Sequence, residues 1–370
     1  MAAQAYVGIM SGTSLDAADA VLFLCDAAGR GRAEHAATVP LPQPLRQTLL
    51  ELNTSGPDEL HRAAIASLQL VELYAQAVHT LLYEAGLTSG DIAAIGVHGQ
   101  TVRHRPDLGY TIQLNAPARL AELTGIDVIA DFRSRDVAAG GQGAPLVPAF
   151  HAAQFAAGHT RVVLNLGGIA NITILSPTAT VRGFDTGPAN MLMDLWALRH
   201  LGTPFDAQGA WAASGTPITA LLELMLGDPW FSLAPPKSTG RDDFSAAWLD
   251  RHLAAYARQT GLTPEPADVQ ATLLQLTARS VADAIARYAP GAGEVVVCGG
   301  GGGNLALMEA LRGLLPCPLA HTDDYGLPAQ WVEAAAFAWL AWCHDTGRPA
   351  GLPEVTGARK ATILGCRYPA

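Results

Sequence analysis

The chain has 370 residues, 49% of them hydrophobic and 15% charged, with a formal net charge of −10. That length allows about two domains with full cores, the composition excludes a disordered protein, and the lack of a Lys/Arg cluster argues against nucleic acid as a main partner. No apolar run is long enough to span a membrane, no basic-then-apolar leader opens the chain, and five scattered cysteines without a Cys-x-x-Cys pair support neither a zinc site nor a disulfide framework, so a soluble, cytoplasmic protein is expected.

The first apolar run, Tyr6 to Met10, stops at Ser11-Gly12-Thr13-Ser14 and resumes from Ala17 to Leu24. This spacing predicts two short strands joined by a small, hydroxyl-rich turn. Such a turn can aim N–H groups and hydroxyls at one oxyanion, a phosphate for instance, although an ordinary hairpin has the same pattern. Residues 57–86 repeat apolar side chains at helical spacing: Leu60, Ala64, Leu68, Val71, Ala75, Val78 and Leu82. Ile92 to Val97 reads as a buried strand, closed by His98-Gly99-Gln100-Thr101. Polar residues at that end of a strand often meet ligand, while a lone His is commonly a neutral core residue, and His98 is assigned no acid–base role.

Val128 to Ala130 is a further strand, followed by Asp131-Phe132-Arg133-Ser134-Arg135-Asp136. In extended chain Arg133 and Arg135 would share a face and could grip a carboxylate or phosphate; a local salt-bridge lattice is the alternative. Gly140 to Pro145 reads as a hinge or lobe crossing. Arg161–Leu166 and Ile169–Leu175 then repeat the opening pattern around Asn165-Leu166-Gly167-Gly168-Ile169-Ala170-Asn171, which suggests two related lobes. In Gly183 to Asn190 the carboxylate of Asp185 sits on a turn and Pro188 is placed to open a helix; Asp185 reads either as a cap or as a base facing a cleft.

Pro235 to Asp242 is a polar loop with two cations, either at a cleft edge or merely solvated. Residues 266–288 and 328–345 read as helices. Val295 to Cys298 runs into Gly299 to Gly303 and Asn304, a strand, Gly turn and helix through which a backbone can approach a flat ring closely. Glu333 is an acid within an apolar helix, costly if buried without a partner and unremarked if on the exposed face. Strand and helix signals alternate, so the fold class is α/β. Neither a P-loop nor a Rossmann glycine fingerprint is present.

Taken in this order, Met10 to Asp16, His98 to Thr101, Asp131 to Pro145, Asn165 to Asn171, Phe184 to Pro188, Lys237 to Arg241 and the stretch around Glu333 resemble the anhydro-N-acetylmuramic acid kinase family. The resemblance covers essentially the whole chain. It implies a two-lobed actin-like ATPase fold, ribonuclease H-like, with a mixed sheet plus helices in each lobe and a cleft between them. The expected lobes are residues 1–128 with 346–370, and 129–345. It also implies ATP and Mg²⁺ as cofactors, with the ion held on the phosphates and no protein ligand assigned. The first phosphate loop would be Gly12, Thr13, Ser14, Leu15, Asp16, Ala17, Ala18 and Asp19. Asn165, Gly167, Gly168 and Asn171 would form the second, and Gly300, Gly301, Gly302 and Asn304 the adenosine side.

The family's reaction cleaves the 1,6-anhydro bond of anhydro-N-acetylmuramic acid with water and phosphorylates O6, a step in peptidoglycan recycling. Asp185 matches the family's base. Arg133, Glu333, Gln100 and Thr101 would hold the sugar, and a homodimer is left open. One rival is another sugar or carboxylate kinase of the same superfamily. A second is an ATP-switched, actin-like binding protein.

Overall fold

The computed structural model describes residues 3–12, 15–240 and 242–370. Thr13 and Ser14 of the expected first phosphate loop, and Arg241, lie outside the described residues. The chain divides into two units, Met1–Gln154 with Gly326–Ala370, and Phe155–Tyr325.

In the first unit β1 (Gln4–Ser11) and β2 (Ala17–Cys25) pair antiparallel, as the interrupted apolar run predicts. β3 (Gly31–Pro40) pairs antiparallel with β2, and β4 (Ala94–Val97) lies parallel to β1. β5 (Gln100–Arg105) and β6 (Tyr110–Leu114) make a separate hairpin. β7 (Val128–Ala130) runs parallel to β4, with the C-terminal strand Cys366–Tyr368 outside it. Alternation along the strands sends Val7, Ile9, Ile95 and Val97 to the face covered by the Glu59–Ala85 helix. That helix buries Ala66, Leu70, Tyr74, Ala77 and Leu81, an i, i+4, i+8, i+11, i+15 stripe, and stops at Gly86 in the left-handed region. The other face carries the Val332–Asp345 helix, which packs on β1, β2 and β4.

The second unit repeats this plan. β8 (Arg161–Leu166) and β9 (Ile169–Leu175) form the hairpin, β10 (Arg182–Pro188) adds antiparallel to β9, and β11 (Glu294–Cys298) lies parallel to β8. β12 (Leu319–His321) is parallel to β11. Numbered within each sheet, both sheets therefore share the order 3-2-1-4-5, with the C-terminal strand added to the first. The helices Asn190–Leu201, Pro266–Tyr288 and Leu305–Leu314 contribute the apolar core around the second sheet.

Four local expectations are corrected. The division between units falls at 154/155 and 325/326, not at 128/129 and 345/346, because β7 pairs into the first sheet and the Val332–Asp345 helix covers it. The Gly140–Pro145 stretch is no lobe crossing: Gly143 N–H donates to Asp136 Oδ2 at 2.7 Å and Gln142 N–H to the Thr356 carbonyl at 2.8 Å, all within the first unit. Arg133 caps a short helix, Ser134–Ala138, so it and Arg135 do not share an extended face. Pro188 ends β10, and the next helix starts at Asn190 with Ala189 as its cap.

A Cβ on Gly8 would land inside the van der Waals shell of the Ala334 carbonyl oxygen and 2.7 Å from Ala338 N. Gly8→Ala is therefore expected to cost about 1–3 kcal/mol through forced separation of strand and helix, read as a lowered urea midpoint. An unchanged midpoint would show that the helix can shift freely.

Candidate active site

In the first unit the β1–β2 turn is closed by Leu15 N–H donating to the Gly12 carbonyl at 3.1 Å. Beside it lies a pocket of about 200 Å³, lined by Gly12, Asp16, Ala17 and Asp19 from the turn, by Gln330 from the 3-10 turn Ala329–Trp331 and by Glu333 from the first turn of the helix that follows it. Leu15 and Ala18 instead point into the core. Asp16 accepts from Arg46 Nη2 at 2.9 Å, so its carboxylate is already paired. Asp19 Oδ1 accepts from Thr38 Oγ1 at 2.6 Å, and burial raises its pKa above the usual carboxylate range despite that bond. Burial likewise raises Glu333, opposed by the charge of Arg133 and reinforced by that of Asp19. Glu333 thus lies on the pocket and not on an open helix face.

Arg133 is anchored on two sides. Its Nε donates to His98 Nε2 at 2.9 Å, and its Nη1 donates to the Gly143 carbonyl at 2.7 Å. Desolvation lowers its pKa to about 10, against the stabilising charges of Glu333 and Asp136. His98 is buried against Phe337, ring centroids 4.8 Å apart, and is held neutral well below its ordinary pKa by burial and by the Arg133 charge. Gln100 opens β5 and is buried, with no partner for Oε1 among the described residues, while Thr101 Oγ1 accepts from Gln113 Nε2 at 3.2 Å.

In the second unit Asn165, Asn171 and Asp185 occupy one cross-strand row: Asn165 faces Asn171, which faces Asp185. Cys298 lies next to Asn165 on β11. A bulge between Asp185 and Gly187 re-aims the strand end, a device common beside active sites. Asp185 Oδ2 accepts from Thr239 N–H at 2.9 Å, and its own N–H donates to the Lys237 carbonyl at 3.2 Å. Oδ1 makes no hydrogen bond among the described residues. Burial pushes the Asp185 carboxyl up to about 6, while the Thr239 N–H and the Lys237 charge pull the other way. Lys237 packs over Trp230, 4.1 Å from the ring centroid, and its own pKa is lowered, chiefly by desolvation.

The Gly167-Gly168 turn has its carbonyls tied down. Asn190 N–H and Met191 N–H donate to Gly167 and Gly168, and Asn190 Nδ2 also reaches the Gly167 carbonyl at 2.9 Å. With its carbonyls turned to the helix start, this turn leaves the Gly168 N–H without an internal acceptor among the described residues. In the glycine run the positions differ. Gly299 (φ +83°) and Gly301 are crowded by Asn165 and Leu166, whereas a Cβ on Gly300 or Gly303 would meet nothing within 4 Å. Two glycines serve packing and two leave room for a ligand. Asn304 is committed elsewhere, accepting from Leu307 N–H at 3.0 Å as a helix cap.

Three contributors escaped the sequence reading: Gln330 on the pocket, the Thr239 amide on Asp185, and the buried Asp136 that fixes Gly143. Asp136 stands in the motif beside Arg133, Thr239 in the Pro235–Asp242 loop and Gln330 in the 328–345 stretch, but none carries these roles in the sequence. No group of three or more His, Cys, Asp or Glu is placed to hold a metal ion among the described residues. The pocket's carboxylates suit a magnesium ion that keeps its waters and travels on phosphates.

These features define a duplicated mixed-sheet α/β protein with small glycine-containing hairpin turns and a buried carboxylate, Asp185, held at one oxygen. A family model described as anhydro-N-acetylmuramic acid kinase matches residues 4–370, and the chain belongs to that family. It is 60% identical over 366 residues to a Bordetella petrii protein named anhydro-N-acetylmuramic acid kinase, covering 99% of this chain and 96% of that one. The Chromobacterium violaceum protein of the same name is 52% identical over 366 residues, covering 98% and 99%. Among solved structures, component A of the Acidaminococcus fermentans (R)-2-hydroxyglutaryl-CoA dehydratase is similar at 12% identity, with a TM-score of 0.45, over 91% of this chain and 96% of that one. That likeness is too loose to bear on the site.

The raised Asp185 pKa fixes a sign for stability. The ionised form is disfavoured on folding, so above about pH 6 the carboxylate costs stability, and the cost fades as pH falls toward the unfolded value near 4. Asp185→Asn, which keeps an acceptor for Thr239, is expected to be more stable than the parent at pH 8, by on the order of 1 kcal/mol. The gap should close by about pH 4.5; denaturant midpoints at the two pH values measure it, and a gap that widens on acidification would contradict the burial argument.

Proposed function

We propose that this chain transfers the γ-phosphoryl group of ATP to O6 of anhydro-N-acetylmuramic acid while water opens the 1,6-anhydro bond. The products are N-acetylmuramic acid 6-phosphate and ADP, and the step belongs to cell-wall recycling. The observation that carries this reading is near-full-length identity of 60% to a relative bearing that enzyme's name.

The residues supply a consistent mechanism. Asp185 takes a proton from water as the water oxygen bonds to C1. The C1–O6 bond breaks, its electron pair stays on O6, and O6 attacks the γ-phosphorus as ADP leaves. A base for this step needs one oxygen held and the other open, and Asp185 has Oδ2 fixed by Thr239 and, among the described residues, no hydrogen bond at Oδ1. A pKa of about 6 leaves it ionised at neutral pH yet more basic than an exposed carboxylate. Arg133 and Glu333 bind the sugar, and the Gly12–Asp19 and Gly167–Gly168 turns take the phosphates. Asp19 is the carboxylate that would hold the waters of bound Mg²⁺, which when present would offset phosphoryl charge.

No helix among the described residues is long and apolar enough to cross a membrane. A cytoplasmic location, where ATP is available, and a homodimer complete the proposal; sedimentation checks the latter.

Incubation with Mg-ATP and the anhydro-sugar in ¹⁸O-water is expected to yield a product heavier by one phosphoryl group and one water, with the label at C1. A product gaining phosphate without water would overturn the hydrolytic step. Asp185→Asn should lower kcat by about 10²–10⁴, and the parent's kcat/KM should fall as pH drops through about 6. An acid limb unchanged in the variant would remove Asp185 from the role of base.

A further inference from the structure

We propose that His98 is a positioning residue that aims Arg133 at a carboxylate of the substrate and thereby selects the lactyl-bearing sugar over its lactyl-free counterpart. The proposal rests on the kinase reading above.

A guanidinium offers two edges for bidentate contact, Nε with Nη2 and Nη1 with Nη2. In this structure one member of each edge is already used. Nε donates to His98 Nε2 at 2.9 Å, and Nη1 to the Gly143 carbonyl at 2.7 Å. Nη2 makes no hydrogen bond among the described residues. A symmetric clamp on a carboxylate is thus not what the site presents. It presents one nitrogen with two N–H groups, held in a fixed direction by two internal acceptors.

Both acceptors are themselves fixed. Gly143 is pinned through its N–H to Asp136 Oδ2 at 2.7 Å, and Asp136 Oδ1 accepts from Thr356 Oγ1 at 2.8 Å. Asp136 is fully buried. His98 sits just past the end of β4, its N–H donating to the Ile9 carbonyl at 3.1 Å and its ring against Phe337. Accepting from a guanidinium requires Nε2 to be unprotonated, and the buried, neutral ring meets that requirement.

Arg133 is also close enough to Glu333 for each to perturb the other, without an ion pair between them. A second carboxylate brought by the substrate would complete the charge balance of a desolvated arginine. The lactyl ether is the only carboxylate on the proposed sugar. Anhydro-N-acetylglucosamine has the same bicyclic ring and acetamide but no lactyl group, so it isolates the contact.

The test compares the two sugars, the lactyl-free one as a substrate or, if it is not turned over, as a competitive inhibitor. In His98→Leu, KM for the lactyl-bearing sugar is expected to rise by about 10–100-fold, the effect of losing an acceptor that orients a charged donor. KM for ATP and kcat should stay within about threefold, and affinity for the lactyl-free sugar should hardly move. His98→Gln, whose side-chain oxygen can reach the position of Nε2, should restore KM to within about threefold. If the Leu variant folds poorly, His98→Asn provides the shorter acceptor that falls short of Arg133, with the same expected split. Equal losses on both sugars, or an unchanged KM, would overturn the proposal. No turnover of the lactyl-bearing sugar by the parent protein would instead overturn the kinase reading and take this proposal with it.

Discussion

The closest packing constraint in the first unit is between a sheet and a helix backbone. Gly8 on β1 and Gly96 on β4 stand side by side in the parallel register and leave no Cβ on the face they share. The Ala334 and Phe337 carbonyls occupy that space. Ala334, Ala338 and Ala341 keep the helix surface thin there, so its axis comes nearer the strands than larger side chains would permit. The site follows from this approach. Glu333, one residue before Ala334, is brought beside Asp19 and the end of β1, where the β1–β2 turn begins. Without two bare strand positions the helix would stand off, and the carboxylate with it.

The second unit solves a different problem with the same sheet. Its catalytic candidate needs to be desolvated enough to be basic and supported enough to stay in place. The row Asn165, Asn171, Asp185 supplies two amides on the neighbouring strands, and the bulge turns the end of β10 where the carboxylate sits. The loop at 237–239 then encloses it from the side, through one main-chain bond given and one received. Burial outweighs both the Thr239 N–H and the Lys237 charge, and the net result is a carboxyl near 6 instead of a strongly acidic one.

Much of this was legible in the residues. Interrupted apolar runs marked both hairpins, and the helix stripe at 59–85 followed from period alone. What stayed hidden depends on partners far apart in sequence. Asp136 meets Thr356 across 220 positions and Arg133 meets His98 across 35, and no local pattern announces either. The boundary between units was misplaced for the same reason: β7 and the helix at 332–345 belong where their long-range packing puts them, not where composition changes. Nothing near Arg133 and Arg135 signals the short helix that they enter, so the spacing alone leaves a shared extended face open.

The shared 3-2-1-4-5 order allows the two units to be compared position by position. Counting from each hairpin turn, the second pair is Met10 with Asp19 in one unit and Asn165 with Asn171 in the other; the third strand then carries Thr38 or Asp185. The acid has changed strands between the copies. In the first, a hydroxyl donates to the acid on the middle strand, which engages one of its oxygens directly within the sheet. In the second, an amide holds the middle strand and the acid moves outward to β10, where the donor is a loop N–H and Oδ1 has no partner among the described residues. A carboxylate beside a hydroxyl on the middle strand suits anchoring of hydrated charge. One on the outer strand, with an open oxygen and a raised pKa, suits removal of a proton. Under the proposed function, the same scaffold would separate the two tasks of a phosphoryl-transfer enzyme by placing one acidic side chain a single strand across the sheet.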